Sequence, residues 1–123
     1  MNRTLLLLAG AISAGVHAGL APEHLHEWPP LGAAFVAAAA AAALSVAALV
    51  LRPGSAWPPR VLGALLGGLV VAYAVTRLAA LPPLDPDREP LDLLGVCTCA
   101  IEVAGLVVAV RPRLTLVTTG GPA

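Results

Sequence analysis

The densest group of reactive side chains is Glu23-His24-Leu25-His26-Glu27, two imidazoles and two carboxylates within five residues. His17 lies seven positions before His24. Imidazole and carboxylate are ligands for borderline ions, so His17, Glu23, His24 and His26 form a candidate metal site for Zn or Cu. The plain alternative is a hydrated acidic loop, because a short His-rich stretch lacks the specificity of a paired Cys motif. Were a helix to continue through Pro22, His17 and His24 would share one face and the metal case would strengthen.

A second set falls inside apolar sequence. His17, Arg77 and Glu102 lie within hydrophobic runs, where an ionisable group is costly and points to function by default. At 1.5 Å per residue, His17 and Arg77 are expected ~6 Å from the outer helix ends and Glu102 ~16 Å deep. Residues three and four apart are neighbours on a helix, which extends each group into a polar stripe. Ser13 joins His17, Tyr73 and Thr76 join Arg77, and Thr98 and Cys99 join Glu102. Pointing all three stripes inward lets the groups satisfy one another. The competing readings are an Arg77 that snorkels or pairs with Asp92, and a protonated Glu102 bonded to Thr98 or backbone. Cys97 and Cys99 stand two apart, about 200° around a helix. Both thiols therefore cannot chelate one ion; packing is the simpler role, with Cys99 alone able to join the stripe.

The elements that must carry these residues follow from composition. Of 123 residues, 59% are hydrophobic and only 11% charged, with mean hydropathy +0.89. A soluble domain carries about 25% charged residues, so the expected solvent is lipid. A net charge of +0 argues against nucleic-acid binding. Lys and Gln are absent, which suggests a GC-rich genome. Four apolar runs, 4–21, 31–51, 61–81 and 91–110, approach the roughly 20 residues a bilayer requires. Prolines in every break read as helix stops, leaving connections of about ten residues. The fold class is all-α: a single membrane domain, an antiparallel up-down four-helix bundle.

Arginine sets the orientation. Arg3, Arg52, Arg60, Arg111 and Arg113 mark the N-terminus, the second connection and the C-terminus as cytoplasmic, whereas Glu23, Glu27, Asp85, Asp87 and Glu89 lie outside. The expected location is the cytoplasmic (inner) membrane, with both termini inside. Trp28 and Trp57 fall at opposite interfaces. Met1–Ala18 also has the outline of a secretory signal, with Arg3, Leu5–Leu8 and Val16-His17-Ala18. Cleavage would leave three spans in the same orientation; retention is the reading taken. Gly15 with Gly19, Gly63 with Gly67, and the Ala37–Ala43 stretch permit close helix contact. The second run, with Ser45 as its only polar side chain, reads as scaffold.

Gly15-Val16-His17-Ala18-Gly19-Leu20-Ala21-Pro22-Glu23-His24, then Glu27-Trp28-Pro29, resembles a group of small four-span membrane proteins from high-GC actinobacteria. Val75-Thr76-Arg77-Leu78 and the stretch from Leu93-Leu94-Gly95 through Glu102 are similar to the same group. The resemblance covers most of the chain. It implies a fold and a polar signature of His17, Glu23, His24, Arg77 and Glu102, but no activity. His26 and the two cysteines are not features of that group.

Three functions are compatible with these residues. The first is a membrane-embedded binding protein with an outward-facing site, His17, Glu23 and His24 at its mouth, Arg77 and Glu102 inside, and a transition metal as ligand. The second is an accessory or structural subunit of a larger membrane complex, such as a respiratory one. The third is a small proton- or ion-coupled transporter, built as a homo-oligomer, with Glu102 titrating; no inverted repeat supports it. Transmembrane bis-histidine haem is set aside, since only His17 lies within a run. No catalytic set or phosphate-binding loop is present, so nothing in the sequence asks for an enzyme.

Overall fold

A computed structural model describes residues 1–82 and 86–111. Asp85 and Arg113, two of the charges that bear on orientation, lie outside the described residues. Four helices run in order: α1 (Arg3–Glu27), α2 (Pro29–Leu51), α3 (Trp57–Leu78) and α4 (Leu93–Val110). No β-strand occurs among the described residues.

Side-chain caps start two of them. The Asn2 side chain accepts from the Leu5 N–H at 3.2 Å, and Asp92 Oδ1 accepts from the Gly95 N–H at 2.7 Å. Proline starts the other two. Pro29–Pro30 and Pro58–Pro59 occupy the first turns of α2 and α3, where the missing N–H would have had no helical partner. They begin helices instead of ending the preceding ones, so α2 and α3 start earlier than expected.

The first connection departs furthest from expectation. α1 runs through Pro22 to Glu27 and is joined to α2 by Trp28 alone, so Glu23–Glu27 is helical. Proline costs one backbone hydrogen bond, but ending the chain's helix there would strand several carbonyls beside an apolar bundle. The Trp28 N–H closes the last turn on the His24 carbonyl at 2.8 Å. The tight reversal brings Gly32 against α1, where any Cβ would collide with the Leu25 backbone.

Leu6, Ala9, Leu49, Leu62 and Leu66 form the apolar core. Small residues bring the helices close. A Cβ on Gly105 would meet Leu66 Cδ1 at 2.6 Å and Ala9 Cβ at 2.7 Å, so α4 rests directly on α1 and α3. Gly63 likewise lies against Ala109. Gly15 and Gly19 face nothing within 4 Å, so of the two expected glycine pairs only Gly63 and Gly67 pack within the chain. At the opposite end from Trp28, Arg3 Nη1 donates to the Pro53 carbonyl at 2.8 Å.

The helices have 25, 23, 22 and 18 residues, and each is long and apolar enough to cross a membrane. Large side chains cover their outer surface: Leu44, Leu51, Leu78 and Leu93 are all more than 70% exposed. Water would penalise such a surface and lipid accepts it. The chain is a multi-pass membrane protein.

Candidate functional site

The continuous path of α1 aligns Ser13, His17 and His24 along one side of the helix. His17 Nδ1 lies 2.8 Å from the Ser13 carbonyl, and His24 Nδ1 lies 2.9 Å from the Leu20 carbonyl. A carbonyl only accepts, so in each ring the Nδ1–H is the donor. Without continuation through Pro22, His24 would have no helical carbonyl four residues back. Continuation also moves the helix end away from His17, which stands ~15 Å from it instead of ~6 Å. His17 therefore belongs to the interior of the site, not its mouth.

α2 contributes Phe35, the chain's single phenylalanine. Its ring stacks on His24 with centroids 4.2 Å apart and meets His17 at 5.3 Å, tilted by 38°. Reading α2 as pure scaffold missed this residue. A lone aromatic in an alanine-rich run was the available signal.

Glu102 on α4 is 2% exposed and accepts a hydrogen bond from Ser13 Oγ at 2.6 Å, across 89 residues of sequence. Thr98 is not its partner: the Thr98 hydroxyl donates to the Leu94 carbonyl at 2.8 Å. The α1 and α4 stripes thus meet directly through the serine.

The α3 stripe closes on the start of α4. Arg77 Nη2 lies 3.4 Å from Asp92 Oδ2, and its guanidinium carbon lies 4.3 Å from the centre of the Tyr73 ring. Arg77 Nη1 also donates to Thr76 Oγ1 at 3.2 Å. Asp92 therefore caps α4 with one oxygen and pairs with Arg77 through the other, as the simpler reading of Arg77 expected. The buried Tyr73 hydroxyl has no hydrogen-bond partner. The α3–α4 connection is pinned over this end: the Glu89 N–H donates to the Thr76 carbonyl at 3.1 Å, and Glu89 Oε1 lies 4.0 Å from His24 Nε2.

These groups surround one cavity of about 410 Å³. His17, Glu23 and His24 line it from α1, and Arg77 lines it from α3. Thr98, Cys99 and Glu102 face it from α4, and Glu27, Phe35, Tyr73, Thr76, Glu89 and Asp92 add to the polar and aromatic lining. His26 is exposed and does not line the cavity; Cys97 is exposed as well. Among the described residues, no three His, Cys, Asp or Glu side chains gather to hold a metal ion. The four residues proposed as Zn or Cu ligands are thus not assembled around one point. Arg77, Thr98, Cys99 and Glu102 do share a single space.

Comparison with protein-family models, curated proteins and solved structures finds no match.

The volume falls within the roughly 300–1,000 Å³ range of small-molecule sites, and a few polar groups converge on an otherwise apolar wall. Val16, Leu20, Leu69 and Ala72 supply much of that wall. Such a space binds an amphiphilic molecule better than a fully hydrated one.

Proposed function

We propose that the protein is a membrane-embedded binding protein that takes a small ligand into the cavity between its four helices. The observation that carries this reading is the 2.6 Å Ser13–Glu102 hydrogen bond at the inner end of the cavity. It joins the polar stripes of two helices and fixes a buried carboxylate against a space large enough for a ligand. The bundle is antiparallel and up-down, with both termini in the cytoplasm and the cavity mouth outward. Arginine placement supports that orientation: Arg3, Arg52 and Arg60 flank one end of the bundle, Glu23, Glu27 and Glu89 the other. A metal ion is the weaker choice of ligand. No three His, Cys, Asp or Glu side chains gather among the described residues, and His24 Nε2 already lies against Glu89 Oε1 at 4.0 Å.

Cys99 makes the reading testable, because it lines the cavity whereas Cys97 is exposed on the outer surface. In a Cys97→Ser background, a membrane-impermeant thiol reagent added outside intact cells labels Cys99. Labelling that requires access from the cytoplasmic side, or none from either side, refutes an outward-opening cavity.

A second reading draws on a different feature. Gly15 and Gly19 lie four apart on α1 and face nothing within the chain, a surface that suits close contact with another helix. It favours an accessory subunit or a homo-oligomer. A stoichiometric partner retained on gentle purification supports it; a solitary chain removes it.

A further inference from the structure

We propose that the cavity selects a small lipophilic ammonium ion, its nitrogen held by Glu102 and its alkyl body laid along the aliphatic wall. The proposal deepens the binding-protein reading and rests on it.

The argument is a count of donors and acceptors at the inner end. The Ser13 hydroxyl is spent on Glu102 Oε1 at 2.6 Å, and the His17 Nδ1–H on the Ser13 carbonyl at 2.8 Å. The Thr98 hydroxyl is spent on the Leu94 carbonyl at 2.8 Å. What remains facing the cavity is Glu102 Oε2, which takes part in no hydrogen bond among the described residues and is an acceptor when the carboxyl is ionised. The Cys99 thiol beside Glu102 is a weak donor, and the unpartnered donors Tyr73 Oη and Arg77 Nε lie toward the start of α4. An ammonium group carries three N–H donors and no acceptor, so it complements this end. A carboxylate ligand would bring more acceptors and a like charge.

Charge balance points the same way. A carboxylate 98% buried among apolar helices requires a counter-charge if it is ionised. Arg77, the one arginine lining the cavity among the described residues, is engaged with Asp92 and Tyr73, which leaves His17 or an entering cation to balance Glu102. Glu23, Glu27 and Glu89 line the cavity too and add negative potential that draws cations inward. A divalent metal would need several protein ligands at once, which the described residues do not gather. A primary amine needs fewer protein ligands than a metal ion and can pair with the single carboxylate of Glu102.

The test is calorimetric titration of the full chain in zwitterionic nanodiscs, with empty nanodiscs subtracted, using four probes of equal chain length. These are n-hexylammonium, n-hexanol, n-hexanoate and n-hexyltrimethylammonium. Hexylammonium is expected to bind about tenfold or more tightly than hexanol or hexyltrimethylammonium, roughly the worth of one charge-assisted hydrogen bond. Hexanoate is expected to show no saturable binding. Glu102→Gln is expected to abolish the preference, and the wild-type series decides even if that variant misfolds. Equal affinity for hexanol or hexyltrimethylammonium overturns the ammonium assignment and leaves the binding cavity standing. Absence of saturable binding also overturns it. Where Cys99 is labelled from outside, only the ligand class falls; where it is not, the binding reading falls with it.

Discussion

Replacing Ser13 with alanine tests the central contact of the site. Ser13 is fully buried and its hydroxyl is the only hydrogen-bond donor to Glu102 among the described residues. Alanine keeps the volume nearly unchanged and removes that donor, so the carboxyl is left buried without a partner. A hydrogen bond to a charged group contributes about 1.5–3 kcal/mol in soluble proteins. Polar pairs between membrane helices average only about 0.6 kcal/mol, with a maximum near 1.7, because the unfolded chain in lipid finds other partners. The larger end applies here, since the 2.6 Å distance is short and both groups are almost wholly inaccessible. Alanine's better helix propensity returns a few tenths of a kcal/mol. The expected net loss is about 1–1.5 kcal/mol.

Reversible unfolding in mixed lipid–detergent micelles measures this loss, and a double-mutant cycle with Glu102→Gln isolates the pair. A coupling of about 0.5–1.5 kcal/mol is expected. Ser45→Ala is the control, because Ser45 is buried on α2 and makes no side-chain hydrogen bond among the described residues; its effect stays within about 0.5 kcal/mol. If Ser13→Ala costs no more than that control and adds simply to Glu102→Gln, the Ser13–Glu102 bond does not organise the site.

Gly105→Ala destabilises by about 1–3 kcal/mol, since its Cβ meets Leu66 Cδ1 at 2.6 Å, whereas Gly15→Ala is neutral or stabilising in the same assay. Equal effects at the two glycines would contradict the packing of α4 on α1 and α3. Tyr73→Phe keeps the ring beneath Arg77 and removes a buried hydroxyl with no partner, so stability stays level or rises by up to about 1 kcal/mol. A loss larger than about 1 kcal/mol would mean that the hydroxyl is bonded after all. Asp92→Asn retains a good N-cap and loses only the ion pair with Arg77; because Asp92 is 49% exposed, that pair is worth less than about 1 kcal/mol. Asp92→Ala loses cap and pair together and costs about 1–2 kcal/mol, again read from unfolding midpoints.

Composition and run length reveal four apolar helices, because crossing lipid demands nearly the same apolar content whatever the details of packing. The stripes of α1, α3 and α4 were legible for a similar reason: positions three and four apart share a face in any helix, and polar groups in lipid have few places to go. Proline was less informative. Pro29 and Pro58 look like stops when read from the preceding helix and like first-turn residues when read from the following one, and local sequence does not decide between them. Pro22 was read as a stop although a single lost hydrogen bond is cheaper than a frayed helix end beside an apolar bundle. Phe35 went unnoticed because its role depends on α2 packing against α1, which periodicity alone does not reveal. The expected metal cluster is not gathered among the described residues, and a helix turns His26 about 200° from His24, away from the face that His17 and His24 share.

The path of α1 beyond Pro22 and the chemistry of the cavity are bound together. A loop at Glu23–Glu27 would leave His24 free to donate from either nitrogen and would leave His17 one turn from water. As a helix, the same residues hold the His24 Nδ1–H on the Leu20 carbonyl, as the Ser13 carbonyl holds that of His17. Both rings then face Phe35. The residue that costs the helix one hydrogen bond thus lies within the segment whose regularity fixes both imidazoles beside the cavity. The buried Glu102 carboxyl beside an apolar wall is the feature on which the proposed preference for a lipophilic ammonium ion rests.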